Sequence, residues 1–245
     1  MTRAEASIPE PAALICERCG YILTGLADDA VCPECGTAIA ESRPELRQPA
    51  AWEARPGVGA FLSTTWDVLF RPTRFFRGLT TRDPLPRARQ FAWIHWGICS
   101  VIFALTAFRH NSIGASSWWT DIFSGSGVWM RPTFYLLVVG TFFMIAVTTH
   151  VAVRLTAWEA AYRGLRLPHN AAMRALYFHA AHYLPVAVGA FATVFGFAWL
   201  MEKNLVSPIN VLRYVYVIGA EVLVGAGYLF KTYWIGMRNI MFANR

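Results

Sequence analysis

Four stretches of this sequence are apolar over a length that can cross a lipid bilayer, and this feature limits the fold more than any other. Hydrophobic residues make up 56% of the 245 residues and charged residues 15%, a low charged fraction for a soluble domain of this size. The predicted spans are residues 91–108, 132–153, 183–201 and 209–230. Helices of these lengths, at about 1.5 Å per residue, cross or nearly cross about 30 Å of hydrocarbon. The sequence therefore predicts an all-α membrane bundle of about four transmembrane helices within residues 91–245.

The positions of arginine and lysine predict how these spans are oriented, because loops rich in these residues stay in the cytoplasm. With both termini inside, segments 71–90, 154–182 and 231–245 together hold 13 basic residues. The two outer segments hold only four. We therefore expect a multi-pass protein of the cytoplasmic membrane with both termini in the cytoplasm.

Ahead of the spans, two Cys-x-x-Cys pairs lie within the first forty residues, each followed by a glycine. Each short loop can turn both of its sulfurs toward one ion, and four thiolates favour tetrahedral zinc. Gly20 and Gly36 can adopt a positive φ, which turns backbone N–H groups toward the thiolates. The predicted zinc ligands are Cys16, Cys19, Cys32 and Cys35. We therefore predict a small zinc ribbon with a β-hairpin over residues 1–40.

The same four thiols are compatible with two other states, an iron site of the rubredoxin type and a pair of disulfides. Disulfides require an oxidising compartment. The first fifteen residues contain no apolar core of signal-peptide length, so the sequence gives no reason to place this end outside the cell. Zinc in a reducing cytoplasm is the favoured prediction.

Charge argues against nucleic acid as a partner of the ribbon. The whole chain has a net charge of +7, but residues 1–40 hold six acidic and two basic residues, a net charge of −4. Because affinity for nucleic acid depends on neutralising phosphates, this module would repel it. We expect the ribbon either to dock a cytoplasmic protein or to order the amino-terminal part of the chain.

Residues 41–56 are rich in proline, glutamate and arginine, and predict a flexible linker. Residues 57–90 predict an amphipathic juxtamembrane segment. Its predicted apolar face comprises Phe61, Leu62, Thr65, Trp66, Leu69 and Phe70, with Ser63, Thr64 and Asp67 opposite. The arginines that follow suit either contact with anionic membrane lipids or ordinary flanking of a span on the cytoplasmic side.

Part of the chain after the ribbon resembles a known family. An arginine-rich segment before the first span carries Pro72 followed by Phe75 and Phe76, and the third span begins with Tyr183 and Pro185. This pattern is similar to that of Yip-type membrane proteins, which enter a bundle of four or five spans in this way. The resemblance implies a non-catalytic membrane protein, since eukaryotic relatives act in vesicle traffic and engage Rab GTPases. The ribbon lies outside the resemblance and is similar to those of small bacterial multi-spanning proteins.

Ionisable residues inside the spans suggest a second function, a small proton- or metal-coupled transporter. Glu221 lies near the middle of the fourth predicted span. Four histidines lie near the predicted cytoplasmic ends of the spans: His95, His150, His179 and His182. This alternative requires Glu221 and a layer of these histidines to face one watered cavity.

The sequence contains no phosphate-binding loop, nucleophile elbow or His-Glu-x-x-His motif, and we therefore do not expect an enzyme. The favoured function is that of a membrane-organising adaptor with a zinc ribbon. The expected partners are membrane lipids and a cytoplasmic protein, and a homo-oligomer is left open.

Overall fold

The computed structural model describes residues 13–81, 84–113, 130–165, 167, 169–206 and 211–244. Residues 1–12 of the predicted ribbon therefore lie outside the described residues. The described helices are α1 (Ala51–Ala54), α2 (Val58–Phe70), α3 (Pro72–Gly78), α4 (Pro86–Asn111), α5 (Met130–Tyr162), α6 (His169–His179), α7 (Tyr183–Glu202) and α8 (Val211–Ile240). Short 3-10 turns cover Ile39–Ser42, Pro44–Leu46 and Ala180–His182. Within the described ranges the extended backbone forms isolated bridges and no strand, which confirms the all-α class.

Four of the helical segments are long and apolar enough to cross a membrane. They are Pro86–Asn111, Pro132–Tyr162, His169–Glu202 and Leu212–Ile240. Large apolar side chains along them face outward, and Leu136, Phe143 and Leu223 are 70%, 62% and 75% exposed. A water-soluble protein would not expose so much apolar surface, whereas a lipid bilayer covers it. The chain is an integral membrane protein, as its sequence predicts.

The chain divides into two compact units. One comprises Met1–Ala92, Thr149–Ala181 and Thr232–Arg245, and the other comprises Trp93–Thr148 and His182–Lys231. We refer to them as the head unit and the span unit. The head unit contains the cysteine pairs, and the span unit contains Glu221.

A cluster of aromatic rings forms part of the core of the head unit. Ring centroids lie 5.7 Å apart for Trp52 and Phe61, 5.2 Å for Phe61 and Phe91, and 5.1 Å for Phe91 and Phe178. Phe75 completes the cluster, 5.2 Å from Phe178. The juxtamembrane helices α1 to α3 are therefore packed against the beginning of α4 and the end of α6.

The segment 41–56 differs from the flexible linker that we expected. It carries α1, whose Glu53 lies 3.6 Å from Arg174 of α6, with both side chains almost fully buried. Arg174 also donates hydrogen bonds to the carbonyl oxygens of Thr80 and Pro84, at 3.1 and 3.3 Å. Losing one partner of such a buried pair is costly, since the other charge is left unpaired. Charged residues of the segment that we predicted to be a flexible linker instead form buried ion pairs.

Helix α2 is amphipathic, and most of the large apolar residues of its predicted apolar face point away from the protein. Leu62, Trp66 and Phe70, placed on the predicted apolar face, are 60%, 56% and 62% exposed. Thr64, placed on the polar face, is buried, because its hydroxyl accepts a hydrogen bond from the backbone N–H of Trp52 at 3.1 Å. Thr64 and Thr65 therefore face the protein, and Leu62, Trp66 and Phe70 form an outward stripe that suits membrane lipid.

Polar and aromatic contacts join three helices of the span unit near one of their ends. Arg109 at the end of α4 forms an ion pair with Glu202 at the end of α7. Nearby, the Nδ1 atom of His110 lies 2.7 Å from the hydroxyl of Tyr214 on α8. The ring of Phe197 stacks on Tyr214 with centroids 4.1 Å apart. These contacts bring the corresponding ends of α4, α7 and α8 together.

Candidate metal centre

The structure brings the four predicted zinc ligands together. All four sulfur atoms lie within 4.8 Å of one another, and no disulfide joins them. Cys16 Sγ lies 3.5 Å from Cys35 Sγ, and Cys19 Sγ lies 3.6 Å from Cys32 Sγ. In a tetrahedral site with zinc–sulfur bonds of about 2.3 Å, neighbouring sulfurs lie about 3.8 Å apart. The four thiols therefore fit a single tetrahedral metal ion.

The two Cys-x-x-Cys loops have the same backbone structure. The matching bonds run from Cys16 N to Tyr21 O, from Gly20 N to Cys16 O, from Cys32 N to Thr37 O and from Gly36 N to Cys32 O, at 2.8 to 2.9 Å. Single antiparallel bridges between Ile15 and Ile22 and between Val31 and Ala38 close the loops. Gly20 and Gly36 have φ values of +79° and +71°, a conformation that glycine adopts without strain. Two copies of one loop therefore present two thiols each.

The electrostatics of the cluster favour a cation. Burial raises the pKa of Cys19 to about 12 and also raises the pKa of Cys16. In contrast, hydrogen bonding with the hydroxyl and the backbone N–H of Thr37 lowers the pKa of Cys35 to about 6. Four thiolates so close together repel one another, and a divalent cation removes this cost while keeping all four ionised.

Asn244, in the short segment that follows α8, makes the first attachment of the ribbon. The side-chain oxygen of Asn244 accepts a hydrogen bond from Ile15 N at 3.0 Å. Its side-chain nitrogen donates to Ile15 O at 2.7 Å and to Ser42 O at 2.6 Å. The backbone N–H of Asn244 donates to Glu17 Oε1 at 3.0 Å. One residue thus connects both ends of the ribbon to a segment more than 200 positions away.

Arg47 makes the second attachment. Its guanidinium pairs with Glu17, with an Nη2 to Oε2 distance of 2.8 Å, and both side chains are almost fully buried. It also donates to the carbonyl oxygens of Phe76 and Leu79 at the end of α3, and to that of Asn239 at the end of α8. A positive charge is favourable at both helix ends, where carbonyl groups lack partners. This contact was not predicted, because Arg47 falls in the segment that we expected to be a flexible linker.

A close approach at Gly20 completes the junction. A Cβ atom on Gly20 would lie 2.7 Å from Cε1 of Phe242, whereas a Cβ atom on Gly36 would meet nothing within 4 Å. The two glycines therefore have the same backbone conformation but different surroundings. We call the contacts of Glu17, Gly20 and Arg47 with Asn239, Phe242 and Asn244 the ribbon junction.

The other residues that we singled out are distributed over the two units. In the head unit, the ring of His150 lies against Tyr177, and His179 Nε2 lies 3.0 Å from the hydroxyl of Thr232. In the span unit, His182 Nδ1 lies 2.8 Å from the hydroxyl of Tyr228, and His95 is buried. Among the described residues, the cysteines form the one group of three or more metal-ligating side chains close enough for one ion.

Glu221 lines a cavity in the span unit, but this cavity is mostly apolar, whereas the transporter alternative requires a watered cavity. His95 and His182, which belong to the same unit, are not among the residues that line it. His110, which we did not single out from the sequence, does line it. The cavity therefore combines Glu221 with a different histidine from those that we expected.

Comparisons with family models, curated proteins and solved structures find no match for this chain. The resemblance to Yip-type proteins therefore stays a prediction. The function has to be inferred from the geometry of the chain's own residues.

Proposed function

We propose that this chain is a non-catalytic integral membrane protein in which a zinc-bound ribbon orders the amino-terminal part of the chain against the end of α8. The observation that carries this proposal is the ribbon junction, and above all the hydrogen bonds of the Asn244 side chain to both Ile15 and Ser42. A module that only recruited a partner would not require attachment to the end of a membrane-spanning helix. The bonding of Asn244 favours a structural role for the metal.

Zinc suits this role because four cysteine ligands leave no open coordination position for a substrate or a water molecule. The ribbon has little else to hold it. Its buried core consists of Cys16, Leu23, Cys32 and Ile39. Modules with so small a core fold only with their metal, so the free energy of metal binding stabilises the ribbon junction as well.

The finer part of the proposal is that the ordered ribbon presents a docking surface to a cytoplasmic protein. Tyr21, Ile22 and Val31 lie on the ribbon and are 42%, 44% and 56% exposed. Exposed apolar side chains on a small ordered module favour contact with another protein. Together with the Yip-type resemblance, they suggest an adaptor that organises proteins at a membrane.

Metal analysis and hydrogen exchange on protein purified in detergent test the structural role. We expect one zinc ion per chain, and we expect that removing it with a chelator will increase amide exchange in residues 13–47 and also in residues 236–244. Cys32→Ser should have the same effect, whereas Cys99→Ser, which changes a buried cysteine outside the cluster, should keep both zinc and protection. Unchanged exchange in residues 236–244 after zinc loss would contradict the proposal.

A further inference from the structure

The span unit contains a cavity of about 480 Å³ that is lined by α4, α5, α7 and α8. This volume lies within the range of small-molecule sites, about 300 to 1,000 Å³. Most of its lining is apolar and includes Phe103, Ile145, Val186 and Val194. Met144 and Val222, at its edge, are 61% and 64% exposed on membrane-spanning helices. The cavity is therefore open toward the surface that lipid covers.

Glu221 supplies the carboxyl group of this apolar cavity. If residue 189 carried a side chain, its Cβ atom would lie only 2.9 Å from Oε1 of Glu221. Gly189 therefore makes room on α7 for the carboxyl of α8. Among the described residues, none forms a hydrogen bond or an ion pair with the Glu221 carboxyl. A carboxyl group at this depth in a membrane is costly unless it is protonated or has a positively charged partner.

The basic groups of the span unit near this cavity have other partners. Arg109 is paired with Glu202 and donates to Ser112 O at 3.0 Å. His110, which lines the cavity, is hydrogen-bonded through Nδ1 to Tyr214. Among the described residues, Arg109 and His110 therefore do not act as the positive partner of Glu221, and a cationic ligand is able to supply one.

The chemistry of the lining limits what that ligand is. An inorganic cation needs several oxygen ligands. The lining offers one carboxylate, and its other side-chain oxygens are the neutral hydroxyls of Thr106, Thr141 and Tyr183 in an otherwise apolar wall, which is a poor replacement for the hydration shell of a small ion. A neutral lipid chain would fill the apolar space but would leave the carboxyl without a partner. A cation with a large apolar surface satisfies both parts of the cavity.

We propose that the span unit binds a lipophilic organic cation in this cavity, with Glu221 as its counter-charge. The ligand enters from the membrane beside Met144 and Val222. Its apolar body contacts the four helices, while its positive charge lies next to the carboxylate beside Gly189. This function is independent of the zinc ribbon, so zinc content and the ribbon junction do not report on it.

Two probes of equal shape and opposite charge test the proposal, tetraphenylphosphonium and tetraphenylborate. Equilibrium dialysis of the full chain in a neutral detergent should show saturable binding of tetraphenylphosphonium and no saturable binding of tetraphenylborate. Glu221→Gln, which keeps the shape of the side chain, should weaken binding of the cation by about tenfold or more. Ala190→Leu, which places a larger side chain in the lining, should also weaken it.

Glu159→Gln is the matched control, because Glu159 lies outside this cavity and is 50% exposed in an ion pair with Arg163. It should bind the cation as the wild-type chain does. Elution volume and Tm of each variant verify that it is folded. Equal binding of tetraphenylphosphonium by Glu221→Gln would overturn the role of the carboxylate, even if Ala190→Leu lost binding. Equal affinity for the two probes, or no saturable binding of the cation, would also overturn the proposal.

Discussion

At the scale of single residues, the ribbon junction depends on side chains whose hydrogen-bonding groups match backbone atoms. The amide of Asn244 both accepts from Ile15 N and donates to two carbonyl oxygens. A carboxylate of the same shape would place an oxygen against those carbonyls and leave them without a donor. Arg47 similarly fills positions at the ends of two helices, which a single lysine ammonium cannot span in the same geometry.

Gly20 and Gly36 provide a direct test of the junction. Alanine at either position should lower the free energy of unfolding by about 1 to 2 kcal/mol, because it must adopt a positive φ. Only Gly20→Ala also meets the ring of Phe242, and we expect overpacking to add about 1 to 3 kcal/mol there. Thermal unfolding of the zinc-loaded protein should therefore show a larger decrease of Tm for Gly20→Ala than for Gly36→Ala.

Phe242→Leu gives the matched control for this comparison, since it removes the ring that the new methyl group would meet. The double variant Gly20→Ala with Phe242→Leu should recover part of the loss, and Gly36→Ala should gain nothing from the same change. Equal decreases of Tm for the two alanine variants would show that Gly20 does not contact Phe242 in the protein.

The residues of the metal centre, of the ribbon junction and of the cavity could be predicted from the sequence to different degrees. Cys16 and Cys35 lie within twenty positions of each other, and their spacing alone indicates a common ion. The partners of Glu17 are Arg47 and Asn244, 30 and 227 positions away, and nothing local in the sequence relates them. Glu221 was recognisable because an acidic residue within an apolar span is costly, but its position beside Gly189 required the structure.

At the scale of elements, the four spans were predicted, but the helices that contain them are longer. Residues 91–108 were predicted as the first span, and the helix runs from Pro86 to Asn111, about 39 Å at 1.5 Å per residue. Hydropathy marks only the part in contact with hydrocarbon. The backbone keeps its hydrogen bonds beyond that part, so the helix continues into the polar interface and the protein.

The zinc ribbon is the element for which we predict a docking role. Val31→Glu places a charge on an exposed ribbon residue, and Val58→Glu does the same at an exposed residue of α2 outside the ribbon. Because a buried valine contributes about 1.5 kcal/mol to an interface, we expect Val31→Glu to weaken binding of a cytoplasmic partner by about tenfold. Affinity capture from solubilised membranes, followed by titration of the captured protein, measures this.

Both variants should retain one zinc ion per chain, so that loss of the partner is not due to loss of the ribbon. The adaptor part of the proposal would fail if Val31→Glu captured the same proteins as the wild-type chain with the same affinity. It would also fail if Val58→Glu lost them equally, since the ribbon would then not be the site of contact.

At the scale of the whole molecule, the arginine and lysine pattern predicts which segments lie in the cytoplasm, and this orientation stays a prediction. The arginine and lysine pattern assigns the described parts of the head unit to the cytoplasm or to the adjoining ends of the spans. These parts are residues 13–81, 84–92, 149–165, 167, 169–181 and 232–244. The span unit contains Arg109 and Glu202, which the same pattern assigns to the opposite side. Hydropathy predicted the four spans, whereas the division of the chain into two units and the individual contacts depend on packing that the sequence pattern does not reveal.

Labelling of introduced cysteines in intact cells tests the orientation of the chain in the membrane. Leu205→Cys and Tyr162→Cys introduce thiols at residues that are 65% and 83% exposed, on opposite predicted sides. In a chain that also carries Cys99→Ser, an impermeant maleimide should label position 205 directly and position 162 only after permeabilisation. The chain with Cys99→Ser alone is the control for labelling of the ribbon cysteines. Direct labelling of position 162, with position 205 labelled only after permeabilisation, would contradict the prediction that both termini lie in the cytoplasm.

The ribbon junction also sets an order of events during biogenesis. The four zinc ligands lie close together near the start of the chain, so a nascent polypeptide can load its metal soon after they leave the ribosome. Residues 239–244, which contact the ribbon, form the end of α8 and the segment after it, so they are translated after the other three described spans. Metal loading of the ribbon can therefore precede its docking onto the end of α8.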